Sequence, residues 1–139
     1  MLSSSRFVVA IHALSVIARS GGRNRPVCSS LVAQSVNTNP VVIRRLMRDL
    51  EKAALVNSAS GRTGGFTLNR EAASITLADI YRAVEDEGMF RLHKVDPESP
   101  CPVGCQILDV ISAPLKSAET ALADSLAGTT LADIAAQIA

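Results

Sequence analysis

The feature that most constrains this fold is a short helix with a clear start at Asn39-Pro40. Asparagine is a favoured N-cap, and proline at the first helical position loses no hydrogen bond, because that N–H has no partner within a helix. We therefore predict a helix from about Pro40 to Ala53. Its apolar side comprises Val42 or Ile43, together with Leu46, Met47 and Leu50. Such a helix buries one side and exposes the other.

A glycine-rich β-hairpin is predicted directly after this helix. The segments Leu55–Ser58 and Gly65–Leu68 are strand-like, and the turn-rich stretch Ala59–Gly64 separates them. Arg62 lies at the tip of the hairpin. Its glycine neighbours would let the backbone approach phosphates or the floor of a minor groove.

Two helices are predicted before Asn39. The first begins at caps within Ser3–Ser5 and runs to about Ala18, where Ser20-Gly21-Gly22 ends it. Its apolar residues at helical spacing are Phe7, Val8, Ile11, Leu14 and Ile17. The second spans Ser29 to Ser35, with Ser29 or Ser30 as its cap.

Three helices are predicted after the hairpin. Their ranges are Leu77–Glu85, capped by Thr76; Pro102 or Val103 to about Leu126; and Leu131–Ile138, capped by Thr129 or Thr130. Residues 89 to 100 have no regular pattern. Pro114 lies inside the long helix, which it should kink or divide in two.

Charge divides the chain into a basic half and an acidic half. Residues 1–70 hold ten Lys and Arg against two acidic residues, a net charge of +8, whereas residues 71–139 have a net charge of −7. This asymmetry favours a polyanion as the partner of the N-terminal half. The alternative is an uneven but solvated surface.

Three short helices and a hairpin within seventy residues form the pattern of a winged helix-turn-helix. The predicted fold is therefore mainly α with a small β-hairpin wing and a long C-terminal dimerisation helix. The third helix would enter the major groove of DNA, and the hairpin would contact the DNA beside that groove. The predicted DNA-binding residues are Thr38, Asn39, Val41, Arg44, Arg45, Arg48, Arg62, Thr63 and Gly64.

The long helix carries an apolar stripe that predicts a homodimer. Its members are Ile107, Leu108, Ile111, Leu115, Ala118, Leu122 and Leu126, at spacings of three and four. A symmetric dimer would present two recognition helices to a near-palindromic operator in double-stranded DNA. The predicted domains are a winged helix-turn-helix DNA-binding domain over residues 1–87, a connecting loop over 88–102, and the dimerisation helix with the C-terminal helix over 103–139.

Residues 46–70, "LMRDLEKAALVNSASGRTGGFTLNR", resemble the winged-helix segment of the bacterial Rrf-type regulators, the family of IscR, NsrR, CymR and RirA. The start "SSRFVVAIHALSVIA", the later "ITLADIYRAVE" and the ending "TTLADI" are also similar to segments of this family. The resemblance covers nearly the whole chain. It implies a DNA-binding homodimer in which a long C-terminal helix crosses its partner. The family's usual glycine is replaced by Ala54.

The chain has three cysteines, but they are not placed in the cluster pattern of that family. Its cluster-binding members carry three cysteines between the wing and the dimer helix, whereas this chain has only Cys101 and Cys105 there, in "PCPVGCQI". It is more similar to the cluster-free members with a Cys-Pro-Val-Gly segment. No cofactor and no metal are therefore predicted, although His93 and a residue of a second subunit could complete an iron–sulfur site.

Each cysteine also has an ordinary structural explanation. Cys28 is expected to be a small packing residue rather than a sensor thiol. Cys101 and Cys105 are either inert residues at a helix start or a redox sensor, since a thiol near a helix N-terminus becomes reactive.

The sequence predicts a cytoplasmic transcription regulator, a repressor that responds to redox or a thiol-reactive signal. An iron–sulfur or metal-dependent sensor is one alternative, and a protein-interaction module that has lost DNA binding is another. An enzyme is not predicted, because no catalytic set of residues is present. No apolar run reaches the roughly 18 residues of a membrane span, and no signal peptide is expected.

Overall fold

The architecture is mainly helical, and the computed structural model describes it for residues 5–85 and 88–138. The helices are α1 (Ser5–Ser20), α2 (Ser29–Val36), α3 (Pro40–Lys52), α4 (Leu77–Val84), α5 (Pro102–Leu126) and α6 (Leu131–Ala136). Two strands, β1 (Val56–Ala59) and β2 (Gly65–Leu68), and a 3-10 turn over Ala72–Ser74 complete these ranges. The predicted fold class is confirmed, as is the irregular segment before α5.

One hydrophobic core joins α1, α2, α3 and α4 to the hairpin. From α1 it receives Ala10, Ala13, Leu14 and Ile17, and from α3 it receives Ile43, Leu46, Met47 and Leu50. Val8 was expected on the apolar side of α1, but it lies 60% exposed, because the buried side of α1 is centred on Ala10, Ala13 and Ile17. The predicted cap residues Ser3 and Ser4 lie outside the described residues, and so does the domain boundary after residue 87.

A tight turn of three residues joins α2 to α3. Asn37 closes α2 with a left-handed backbone (φ 67°), a conformation that asparagine tolerates. Asn39 then caps α3 as predicted, since its Oδ1 accepts a hydrogen bond of 2.8 Å from the Val41 N–H. The direction of α3 relative to α2 is therefore set by local chemistry.

The start of α2 differs from the prediction. Its N-cap is Cys28, not Ser29 or Ser30, and no side chain caps this end. The physical reason is a bridge between Val27 and Phe66, in which each N–H donates to the other's carbonyl oxygen at 2.9 Å. This bridge keeps the chain extended through Cys28, so the first helical residue is Ser29.

The hairpin pairs β1 and β2 in antiparallel register, from Val56 opposite Leu68 to Ala59 opposite Gly65. It is the predicted wing, although β1 begins one residue later than expected, because the Leu55 N–H still donates to the Leu50 carbonyl at the end of α3, at 3.0 Å. Gly65 has φ 154°, and a Cβ there would lie 2.4 Å from the carbonyl oxygen of Val27. Glycine is thus required where the hairpin meets the chain that leads into α2.

α5 is one continuous helix of 25 residues, and none of them is buried in the described chain. Of the two predicted effects of Pro114, a kink or a division of the helix, the division does not occur. Proline leaves the carbonyl of Val110 without its helical donor. Val110 is 66% exposed, so water can replace that donor.

α6 returns the chain to the N-terminal core. The sequence Thr-Leu-Ala-Asp-Ile occurs at the start of both α4 and α6, and each copy forms a complete capping box. The two starts lie side by side, because Leu77 N–H donates to the Thr129 carbonyl and Leu131 N–H donates to the Ile75 carbonyl, at 2.9 and 2.8 Å. Leu131 is fully buried in the core. None of the helices in residues 5–85 and 88–138 is long and apolar enough to cross a membrane.

Candidate DNA-binding surface

The side of α3 that faces away from the core is basic. Ile43, Leu46, Met47 and Leu50 point inward, so spacings of four, three and four place four residues on the outward side. These residues, called here the outward face, are Val41, Arg45, Arg48 and Lys52. Their side chains are exposed along the length of the helix.

The two acidic residues of α3 are drawn away from this outward face. Arg6 of α1 forms a salt bridge with Asp49 and also donates to the Val84 carbonyl at 3.0 Å. Glu51 accepts hydrogen bonds from the backbone N–H and hydroxyl of Ser58 on β1, at 3.1 and 2.7 Å. Asp49 is thus paired with a cation of α1, and Glu51 is held by β1, so neither carboxylate lies on the outward face.

Arg44, Arg45 and Arg48 occupy different positions, although all three are exposed. Arg44 lies on the flank of α3 beside α2, where its Nη1 donates to Ser29 Oγ at 3.3 Å. Arg45 and Arg48 lie on the outward face, and among the described residues neither has a protein partner. Their guanidinium groups therefore remain available to an external acceptor.

Thr38 and Asn39 lie at the start of α3, next to the outward face. Asn39 is exposed and uses its Oδ1 for the cap, which leaves its amide N–H groups as donors. Thr38 is half-buried, and its backbone N–H closes α2 on the Ala33 carbonyl at 2.9 Å. Both predicted residues are thus placed beside Val41.

The wing presents Arg62 and Thr63 as an exposed tip. Gly64 is half-buried and closes the turn by donating to the Gly61 carbonyl at 3.1 Å. A Cβ at Gly64 would lie 2.2 Å from the Ala59 carbonyl oxygen, so the turn itself requires this glycine. A surface groove of about 690 Å³ separates the wing from α2 and is bordered by Arg25, Cys28, Leu31 and Arg62.

Three features of this surface were not predicted from the sequence. Lys52 continues the outward face by one turn, as the spacing from Arg45 and Arg48 could have shown. Val42, beside Val41, is 46% exposed and does not belong to the core. Cys28 was expected to be buried but is exposed in the groove beside the wing, because the bridge at Val27 orients the chain there.

Cys101 and Cys105 lie together at the start of α5. Cys101 is the exposed N-cap, and its N–H donates to Ser99 Oγ at 3.2 Å. Cys105 is half-buried one turn later, and its sulfur contacts the Pro102 carbonyl at 3.5 Å. Cys28 belongs to α2, in the DNA-binding half.

The described residues do not assemble a metal site within one chain. Across residues 5–85 and 88–138, no three His, Cys, Asp or Glu side chains lie close enough together to hold an ion. An iron–sulfur cluster normally needs four ligands, and the cysteines near α5 supply two. The residues of a single chain therefore do not fit an iron centre.

A helix-turn-helix with a basic outward face, followed by a two-stranded wing, defines a DNA-binding protein of the winged-helix class. The chain belongs to the Rrf2 family, described as iron-dependent transcriptional regulators, whose model matches residues 3–137. As a member of this family it is a transcription regulator rather than an enzyme, as the sequence predicted.

Individual relatives cover almost the whole chain. YwnA of Bacillus subtilis, named as an HTH-type transcriptional regulator, is 38% identical over 132 residues, 94% of this chain and 95% of its own. A crystal structure described as that of a DNA binding protein is 36% identical, with a TM-score of 0.73 over 93% of this chain and 97% of the other. CymR, the global cysteine regulator of Bacillus subtilis, is 25% identical, with a TM-score of 0.68 over both complete chains.

Proposed function

We propose that this regulator is a repressor that binds a near-palindromic operator in duplex DNA as a homodimer. The observation that carries the proposal is the outward face of α3, where Arg45, Arg48 and Lys52 are exposed while Asp49 and Glu51 are held by neighbouring elements. A helix inserted into the major groove needs this distribution, because acidic side chains would repel the phosphates on either side. The dimer represses by occupying the operator.

The predicted contacts divide into two groups. Arg45 and Arg48 face the bases from the outward face, together with Val41 and the donors of Asn39. Arg44 and Thr38 lie at the flank, where phosphates border the groove, and the wing adds Arg62, Thr63 and the backbone of Gly64. Base contacts specify the sequence, whereas phosphate contacts set the orientation of the protein.

The homodimer is supported by α5. Six residues of its apolar stripe are only partly buried in the described chain, and the seventh, Ala118, is exposed. A helix of 25 residues is long enough to bury this stripe against the same helix of a second copy. The partly buried residues are Ile107, Leu108, Ile111, Leu115, Leu122 and Leu126. Two-fold symmetry would present the two α3 helices about one helical turn of DNA apart.

Binding to random-sequence duplex DNA across a salt series tests the proposal. We expect the logarithm of the binding constant to fall linearly with the logarithm of salt concentration, with a slope that reports the number of phosphates neutralised. A site selected from random duplexes should have two inverted halves, and sedimentation at micromolar concentration should give the dimer mass. A monomer, or binding that does not depend on salt, would contradict the proposal.

We further propose that Cys101 and Cys105 form a thiol switch. Cys101 is the exposed N-cap of α5, and Cys105 lies one turn later in the helix. Cα atoms four apart in a helix are about 6 Å apart, within disulfide range, but their side chains do not meet at ideal geometry. A disulfide would therefore unwind the first turn of α5 and change the spacing of the two recognition helices.

Operator affinity of the reduced protein, the peroxide-treated protein and Cys101→Ser tests the switch. We expect peroxide to change the affinity of the wild type and to leave that of Cys101→Ser unaltered. Cys28→Ser is the matched control, since it removes the other exposed thiol and should preserve the response. Equal operator affinity of the reduced and oxidised wild type would show that the cysteines do not regulate DNA binding.

A further inference from the structure

Two exposed valines stand at the entry of the recognition helix. Val41 is 42% exposed and Val42 is 46% exposed, although the residue that follows them, Ile43, is completely buried. They lie in the first turn of α3, directly after the cap residue Asn39 and the first helical residue Pro40. Valine has a lower helix propensity than alanine, so neither local helix stability nor the core explains this pair.

The surroundings of Val41, next to Val42 in the same turn, point to duplex DNA as the partner of this exposed apolar pair. Val41 shares the outward face with Arg45, Arg48 and Lys52, and no acidic residue lies in the first turn of α3. A protein partner that covered the valines would also have to cover these cations, whereas duplex DNA offers phosphates beside an apolar contact. The charge complementarity therefore favours the major groove.

We propose that Val41 and Val42 read the 5-methyl groups of thymine in each half of the operator; this rests on the proposed function. Among the base edges of the major groove, the thymine methyl is the apolar feature. A valine side chain has no donor or acceptor, so it can contact this methyl group without loss. Against a G·C pair it would strip water from polar edges and leave them without partners, which disfavours that pair.

Removal of the methyl group alone tests this contact. An operator is first selected from random duplexes with the complete chain, and each thymine is then replaced in turn by deoxyuridine, which differs only in lacking the methyl group. We expect a loss of about four-fold in affinity at one or two positions per half-site, the value of one buried methyl group. Substitution at the matching positions of both halves should cost about fifteen-fold.

The double variant Val41→Ala/Val42→Ala identifies the protein side of the contact. Alanine has the higher helix propensity, so α3 should remain folded. We expect this variant to bind the thymine operator more weakly and to be indifferent to deoxyuridine at the sensitive positions. The matched control is Val8→Ala, which removes the same atoms from an exposed valine of α1 and should retain the full sensitivity.

The outcomes separate this inference from the proposed function. If the wild type binds its operator but its affinity changes equally with deoxyuridine at every position, the proposed methyl contact is wrong and the proposed function stands. The same holds if the double variant keeps the sensitivity of the wild type. Failure of the wild type to bind any duplex in the salt series overturns the proposed function and this inference together.

Discussion

The N-terminal half and α5 differ in what each buries within the described chain. From Ala10 to Val84 the helices and hairpin share one core, and among the described residues of the C-terminal region only Leu131 is fully buried in it. In α5 no residue is buried, yet its apolar stripe is as regular as the buried side of α3. A periodic apolar pattern thus identifies a side that needs a partner, but not whether the same chain supplies it.

The largest expected difference between the two regions is in the effect of core truncation. Leu14→Ala should lower the free energy of unfolding by about 2–5 kcal/mol, because Leu14 is completely buried. Leu115→Ala, in the stripe of α5, should mainly weaken dimerisation, with a loss of stability that grows on dilution. Urea unfolding at several protein concentrations checks both, and an equal, concentration-independent loss would contradict the contrast.

The charge contrast predicts a difference in DNA binding. Arg45→Ala should cost about 1–3 kcal/mol if the arginine contacts a base, and Arg62→Ala should flatten the salt slope by about one if it contacts a phosphate. Lys116→Ala is the control, because it removes a cation from the acidic half, on α5. If Arg45→Ala and Arg62→Ala both bind the operator like the wild type, α3 and the wing do not dock as proposed.

Substitutions in the two capping boxes test how α6 is attached to α4 and the N-terminal core. Thr76→Ala and Thr130→Ala should each lower the free energy of unfolding by about 0.5–2 kcal/mol, since each removes the acceptor of one N–H at a helix start. Thr130→Ala should in addition loosen α6 from α4. Hydrogen exchange of the Leu131 N–H would report this loosening, whereas unchanged protection there would show that the bridge does not depend on the cap.

The smallest expected effect is a pH dependence of the free energy of unfolding, which arises from Asp79. Burial raises the pKa of Asp79, but the hydrogen bonds from Thr76, the charge of Arg70 and the hydrogen bond from Arg82 together lower it by more, so that its pKa lies below the ordinary 3.8. A carboxyl group with a depressed pKa stabilises the fold above its unfolded pKa and loses this contribution as pH falls through the folded pKa.

The variant Asp79→Asn isolates this contribution. It should be less stable than the wild type at neutral pH, and the difference should shrink below about pH 4. Asp133→Asn, at the corresponding position of α6, is the matched comparison. A difference between Asp79→Asn and the wild type that is constant from pH 7 to pH 3 would exclude the carboxylate as its source.

Most of the fold could be predicted from the sequence, because its helix starts depend on neighbouring residues. Asn39 caps α3, while Thr76 and Thr130 cap α4 and α6, each through a bond that closes within three residues. The hairpin followed from glycines at its tip. The cap of α2 was mispredicted because a contact across the chain, between Val27 and Phe66, determines where that helix begins.

The residue types of the candidate DNA-binding surface could be predicted from the sequence, but the directions of several of their side chains could not. Helical spacing could have placed Lys52 with Arg45 and Arg48, whereas the position of Arg44 toward Ser29 depends on how α2 packs against α3. The exposure of Cys28 likewise depends on the wing. Neither partner is close in sequence, and side-chain directions between elements follow from packing rather than from local periodicity.

By itself, therefore, the sequence determined the helices, the basic half, the wing and the apolar stripe of α5, since periodicity, capping and charge are local properties. Only the tertiary structure decided which partners hold the two carboxylates of α3, because Arg6 reaches Asp49 from α1 and Ser58 reaches Glu51 from β1. It also decided that α6 closes on α4, through hydrogen bonds between residues more than fifty positions apart. Such contacts depend on the packing of the whole chain and have no signature in any single segment.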